Sequence, residues 1–275
     1  MDRLATLLNH FAFNADTFHQ GSFCGLSSYA GDTQVGHVHL LRAGRLRFEG
    51  PGGQAWSLEE PSLILLVRPQ THRLSASEAD QAELVCATLN FIGGPNNPLT
   101  AALPDVLVSP LSALAGLQAS TDWLFAEAER DECGRGLVLN RLFELMVIQL
   151  LRQLLSDGSL GSGMLAGLAD KRLARALVAM HDTPARNWSV EELAGLAGMS
   201  RASFAAHFRT VVGDTPGDYL AGWRVGLAQK RIREGRPLAL VADEVGYQSP
   251  SALARVFRRR TGMSPSQWRE ESGAG

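Results

Sequence analysis

The sequence predicts an α+β chain: an amino-terminal β-barrel, a helical connector, and a carboxyl-terminal all-α domain built from two helix-turn-helix subdomains. Three observations predict it. The last hundred or so residues carry one segment twice, short alternating apolar runs fill residues 22–91, and 275 residues with 45% hydrophobic side chains allow more than one core. The expected organisation is a sensor domain over 1–110, a connector over 111–157, a linker over 158–166 and a helical domain over 167–275.

At the amino terminus Leu4, Leu7, Leu8 and Phe11 stand at helical spacing. The segment lacks the uninterrupted apolar core and cleavage site of a signal peptide, and nothing in the chain has the apolar length of a membrane span, so a cytoplasmic location with no membrane partner is expected. Residues 35–48 alternate, 55–58 and 63–67 are short apolar runs, and 84–91 alternates again. Pro51-Gly52-Gly53 and Glu60-Pro61 mark turns between them. Short strands at such spacing suggest a small barrel or sandwich. His37 and His39 are two apart on a strand and share a face, and His72 can approach them across a barrel. Three such imidazoles suit a divalent metal cofactor such as Zn²⁺, Fe²⁺ or Ni²⁺. The other reading makes them hydrogen-bonded wall residues of the barrel or of an effector pocket. Cys24, Cys86 and Cys133 form neither a metal motif nor a disulfide framework; Cys24 and Cys86 read either as redox-active thiols or as small buried apolar residues.

In the connector, residues 117–124 and 137–155 read as helices, with Leu142, Leu145, Met146 and Leu150 as an apolar stripe. A face this broad needs cover from the barrel, from a second protomer, or from both, and a homodimer is the favoured outcome. Asp157-Gly158-Ser159-Leu160-Gly161-Ser162-Gly163 then has linker composition.

The duplicated segment follows. Ala194, Gly198, Phe204, Phe208, Arg209, Gly213, Pro216 and Tyr219 are answered by Ala242, Gly246, Leu253, Phe257, Arg258, Gly262, Pro265 and Trp268. Ser189 and Glu192 make a capping box, Gly198 supplies the left-handed turn, and Ser200 caps a second helix in which Phe204 and Phe208 face inward. In the second copy Gly246 turns the chain and Ser249-Pro250 opens a helix whose Leu253, Val256 and Phe257 are buried. Residues 216–234 read as a long helix between the copies. The exposed faces of the two second helices carry Arg201, Ser203 and Arg209, and Ser251, Arg255, Arg258 and Arg259. Arginine matches the paired acceptors of guanine in the major groove, which makes Arg255 the foremost candidate base reader of double-stranded DNA. Arg201 and Arg209 read as base or phosphate contacts, and Arg258 and Arg259, with Arg260, as phosphate contacts or complements of the helix dipole.

The stretch from Gly246-Tyr247-Gln248-Ser249 through Phe257-Arg258 to Gly262-Met263-Ser264-Pro265-Ser266-Gln267-Trp268-Arg269 resembles the signature of the AraC/XylS transcription regulators. The resemblance covers about residues 168–270 and implies two reading helices on one face of the DNA, with RNA polymerase as a further partner. Where this family's first reading helix carries long side chains, this chain has Ala202, Ala205 and Ala206. Upstream, Gly36-His37-Val38-His39, Gly44, Pro69 and His72 resemble a cupin pattern, which implies a cupin-like sensor barrel; the glutamate that metal cupins place after the histidine pair is absent from Leu41-Arg42-Ala43-Gly44. Phe23-Cys24-Gly25 and Leu84-Val85-Cys86-Ala87-Thr88-Leu89 resemble the cysteine segments of the oxidant-responsive, reactive-chlorine type of AraC-like regulator, which implies that Cys24 and Cys86 sense the signal, by bridging or by taking up a small adduct.

Charge supports this division. Residues 170–275 hold 16 Lys+Arg against 11 Asp+Glu, net +5, while residues 1–169 hold 10 against 17, net −7. A basic half suits phosphate, and an acidic half argues against indiscriminate coating of nucleic acid. The expected function is a sequence-specific transcription regulator, an activator, controlled by a small-molecule effector or an oxidant. The alternative, a metal-dependent cupin enzyme with a DNA-binding tail, is disfavoured by the missing glutamate and by the lack of an acid/base pair.

Overall fold

The computed structural model describes residues 2–31, 35–91, 97–158 and 161–271; Ser159 and Leu160, inside the expected linker, lie outside them. The chain divides into a strand-rich unit, Phe13–Pro95 with Leu99–Asp157, and a helical unit, Met1–Ala12 and Asn96–Pro98 with Gly158–Gly275. The first twelve residues, expected with the barrel, thus belong to the helical unit. That unit is where Leu4, Leu7 and Phe11 of α1 (Ala5–His10) and its flanks are buried.

The strand-rich unit begins at β1 (Phe13–Phe23) and continues through β2 (Gly25–Tyr29), β3 (Gly36–Ala43), β4 (Leu46–Glu49), β5 (Ala55–Leu58), β6 (Ser62–Leu66), β7 (His72–Ala76) and β8 (Ala82–Phe91). After α2 (Pro98–Ala102) come β9 (Val106–Pro110), α3 (Gln118–Glu129) and α4 (Arg135–Asp157). Among the described residues, β1-β8-β3-β6-β9 form one sheet and β2-β7-β4-β5 a second, with antiparallel neighbours throughout. Leu41, Ile64, Leu66 and Leu84 of the first sheet meet Leu46, Phe48, Leu58 and Leu74 of the second in one core. Side chains on a strand alternate between faces. With Leu41 in that core, His37 and His39 therefore point inward, and Val38 and Leu40 outward; all are buried, so β3 is covered on both faces.

β1 is an edge strand, which would leave a row of N–H and C=O groups free to pair with another chain. Helix α4 closes it. The Thr17 amide and hydroxyl both donate to Asn140 Oδ1 at 2.8 Å, and the Ala15 amide donates to Glu144 Oε1 at 3.3 Å. The sequence places the first strand about nine residues too late. Asn14, Asp16, Thr17 and Gln20 make β1 polar, and a register shift between Thr17 and His19 breaks its alternation. In the connector, α4 buries Leu139, Leu142, Phe143, Met146, Val147, Leu150, Leu151 and Leu155. Leu145, expected in that stripe, faces outward with Leu137 and with Trp123 of α3.

The helical unit continues through α5 (Met164–Ala169), α6 (Leu173–Asp182), α7 (Val190–Ala197), α8 (Arg201–Val212), α9 (Pro216–Arg233), α10 (Leu238–Glu244), α11 (Pro250–Thr261) and α12 (Pro265–Glu271). Helices α7–α8 and α10–α11 are the two helix-turn-helix pairs. The Ser189–Glu192 capping box is present, Ser200 Oγ accepts from the Ser203 amide, and Ser249 Oγ accepts from the Ala252 amide. Thr215 caps α9, whose first residue is Pro216. Phe204 and Phe208, then Leu253 and Phe257, are fully buried on the inner faces of α8 and α11. Each such side chain contributes about 1.5–3 kcal/mol by leaving water, which fixes which face of each helix remains outside.

Candidate nucleic-acid interface and sensor cavity

On α8 the outer residues are Arg201, Ala202, Ser203, Ala206, Arg209 and Thr210; on α11 they are Pro250, Ser251, Arg255, Arg258, Arg259 and Arg260. Ser251, Arg255, Arg258 and Arg259 fall at i, i+4, i+7 and i+8, a single stripe. Among the described residues Arg201, Arg209, Arg255, Arg258 and Arg259 pair with no carboxylate, so five guanidiniums stand available on two parallel tasks. Two residues differ from this pattern. Arg260, read with its neighbours as a phosphate contact, donates to the Asp218 carbonyl and lies 3.5 Å from Asp218 Oδ1. Ser203 has its hydroxyl engaged by Ser200 Oγ at 3.0 Å within the helix cap.

The two helix-turn-helix pairs are locked to one another through α9. Arg224 Nε donates to the Pro184 carbonyl at 2.7 Å and Arg224 Nη2 to the Arg186 carbonyl at 3.0 Å, both in the loop before α7. The same guanidinium lies over the Tyr247 ring, 5.4 Å from its centroid, in the turn between α10 and α11. Beside it Gly246 has φ +84°, and a Cβ there would come within 2.5 Å of the Ala185 carbonyl oxygen and 2.6 Å of its Cα. The glycine therefore serves both the turn and the close approach of one subdomain to the other. Arg224 and Ala185 carry no local sequence signal. Tyr247 stands in the family-like signature, but its role is visible only in the folded contact.

In the strand-rich unit the three histidines gather, with ring centroids 5.1 to 5.9 Å apart. Their nitrogens do not form a metal trio. His72 Nδ1 lies 2.8 Å from the Gln70 carbonyl and so carries the proton, which leaves His72 Nε2 to accept from His39 Nε2 at 3.0 Å. The His37 ring stands parallel to His39 at 5.9 Å, displaced along β3, because residues two apart on a strand share a face without sharing a point. Among the described residues no three His, Cys, Asp or Glu side chains are arranged to hold a metal ion. His39 and His72 thus form a hydrogen-bonded pair with the His37 ring beside it. Burial, then His72, pushes His37 down to about 4; burial holds His39 well below its ordinary value and also lowers His72. Tyr29 stacks on His72 at 4.6 Å.

An open cavity of about 550 Å³ adjoins this cluster, with Phe18, His19, Tyr29, Cys24 and Cys86 in its lining. Cys24 is exposed and Cys86 buried, and burial pushes the Cys86 thiol up. In the register of β1 and β8, Cys86 sits opposite His19, five residues short of Cys24. Cys86 is a core thiol, whereas Cys24, like Cys133, is exposed.

A Cupin family model matches residues 2–156, and a helix-turn-helix domain model matches residues 193–271. A putative AraC-like transcription regulator of Streptomyces antibioticus is 36% identical over 199 residues, 71% of this chain and 66% of that protein. Another, from Streptomyces lividans, is 43% identical over 136 residues, 49% of this chain and 45% of its own length. The chain therefore spans slightly under two thirds of the first relative and under half of the second. The RCS-specific HTH-type transcriptional activator RclR of Escherichia coli is 29% identical over 254 residues, covering 91% of this chain and 89% of that one.

Two outcomes follow from this geometry. Gly246→Ala forces a positive φ on an L residue and presses its methyl against the Ala185 backbone, so denaturant unfolding of the helical unit should show a loss of about 1–3 kcal/mol. Gly198→Ala, also at positive φ but with open space around it, should cost less; equal costs would remove the close approach as the cause. The second outcome concerns pH. A depressed folded-state histidine means that the unfolded chain binds more protons, so stability falls as pH drops from the ordinary 6.5 towards the His37 value of about 4 and is unaffected by this histidine above that window. His37→Gln should flatten the fall of the melting temperature of the strand-rich unit between those limits.

Proposed function

The chain belongs to the AraC family of transcription regulators, with a cupin domain in its amino-terminal half, and we propose from that premise that it binds operator DNA sequence-specifically and switches transcription on a signal received in the cupin domain. The observation that carries the reading is the set of unpaired arginines on two reader helices held in fixed relation by Arg224 and Gly246. In this reading Arg255 and Ser251 contact base edges, Arg258 and Arg259 contact phosphates, and Arg201, Ser203 and Arg209 position α8 or read bases beside it. The exposed methyls of Ala202 and Ala206 suit thymine methyl groups. Reading helices in successive major grooves lie about 34 Å apart along the duplex.

The chain acts as an activator, as its relative RclR is named, and contacts RNA polymerase. It works in the cytoplasm as a homodimer, paired through the outer faces of α3 and α4, where Trp123, Leu137 and Leu145 are exposed. Its signal is an oxidant taken up at Cys24 or a small molecule in the adjoining cavity, whose lining includes aromatic rings and serines and no Asp, Glu, Lys or Arg. Among the described residues no helix is long and apolar enough to cross a membrane.

Arg255→Ala should weaken operator binding by about 1–3 kcal/mol while leaving random duplex nearly unchanged, whereas Arg259→Ala should weaken both alike and flatten the salt dependence. Equal losses on both duplexes for Arg255→Ala would remove it as a base reader. For the signal, reporter output after mild oxidant should be lost in Cys24→Ser and kept in Cys86→Ser. An undiminished response in Cys24→Ser would remove Cys24 as the sensor.

A further inference from the structure

Residues 2–12 lie within the helical unit and not with the strands that follow them in the chain. Asp2 Oδ1 accepts from the Leu4 and Ala5 amides at 3.0 and 3.1 Å, just ahead of α1. The helix is held at both ends and on both sides: Arg3 Nη1 donates to the Leu168 carbonyl of α5 at 2.9 Å, the Thr6 hydroxyl donates to Asp182 of α6, and Lys230 of α9 donates to the Asn9 carbonyl at 3.4 Å. Between these ties Leu4, Leu7 and Phe11 are buried.

Phe11 is the aromatic anchor. Its ring meets Trp223 of α9 edge to face at 5.0 Å, and Gly226 one turn on leaves room for it, since a Cβ there would touch the ring at 3.4 Å. On its other side Trp223 stacks on His181 of α6 at 3.8 Å, and His181 Nε2 lies 2.7 Å from the Tyr219 hydroxyl. Trp223 is thus gripped between α1 and α6, one residue before Arg224, which ties the two helix-turn-helix pairs together.

We propose that residues 2–12 are a positioning element of the DNA-reading unit: they hold α9 against α5 and α6, and α9 in turn sets the distance between the reader helices α8 and α11. The proposal rests on the DNA-reading function given above and adds a partner for the α6–α9 groove, the chain's own amino-terminal segment. A positioning role makes a specific demand. Loss of the segment frees α9 to tilt, so preference for one spacing of the two half-sites should fade, while base preference within each half-site, set by side chains on α8 and α11, should remain.

The test uses the full chain. Duplexes are first selected from a random library; a full chain that selects none overturns the DNA-reading function itself. Affinity is then measured for the selected duplex, for one with its half-sites moved apart by about half a helical turn, and for each half-site alone. The intact protein should prefer the selected spacing by roughly tenfold or more. A protein lacking residues 2–12 should lose most of that preference while binding single half-sites as before, and a synthetic peptide of residues 2–12 added in trans should restore it. Phe11→Leu, which keeps apolar volume but removes the ring contact with Trp223, makes the same comparison if the shortened protein does not fold, and should fall between the two. Retention of the full spacing preference by whichever of these variants is folded would overturn the proposal.

Discussion

One half-buried guanidinium makes two repeated modules into one reading head. Arg224 donates to two carbonyls of the first helix-turn-helix pair and lies over an aromatic ring of the second, and the backbone of Gly246 sits against Ala185 at the same junction. Arginine suits this position because its planar fork can satisfy two fixed carbonyls and still present a face to a ring, which the point charge of a lysine cannot do. Without such a lock the two modules would be tethered only by a helix, and the separation of α8 and α11 would fluctuate. With it, the thermal freedom of each reader is spent before DNA arrives, so less ordering entropy opposes binding.

In the proposed function the two modules are not equal readers. Helix α11 presents arginines and a serine, while α8 presents alanines between its arginines. Guanidiniums can choose among base pairs by paired hydrogen bonds, but methyls can only fit or fail to fit beside another methyl. A rigid head lets a selective module place a permissive one, so that the permissive module adds phosphate contact and affinity without needing its own precise code.

How much of this was legible depended on sequence separation. The helix-turn-helix pairs were legible because their signals are local: Ser189 with Glu192, Ser200, Ser249, and the glycines at 198 and 246 act within one or two turns of themselves. The histidine cluster was legible as a cluster, since His37 and His39 share a strand face by period alone. Its chemistry was not, because the pairing of His39 with His72 and the tautomer imposed by the Gln70 carbonyl are contacts across the barrel. β1 was hidden by polar residues that pair with α4 rather than with a core, and Leu145 was misplaced because a broad apolar stripe does not say where its edge falls. The two cysteines looked alike in sequence; the strand register separates them into a core thiol and a surface thiol.

The amino-terminal helix also gives the molecule a particular history. Arg3 and its acceptor are 165 residues apart, and Asn9 and Lys230 are 221 apart. Contacts this distant close late, since chain entropy must be overcome before they form. During synthesis at about 5–20 residues per second, Leu7 and Phe11 are made well before α9 and wait on the order of ten seconds or longer for the groove that will cover them. A nascent or prematurely ended chain therefore exposes an apolar helix and lacks a braced reading head. Quality control has a handle on such a product, and only a chain made through α9 carries both the helix and its groove.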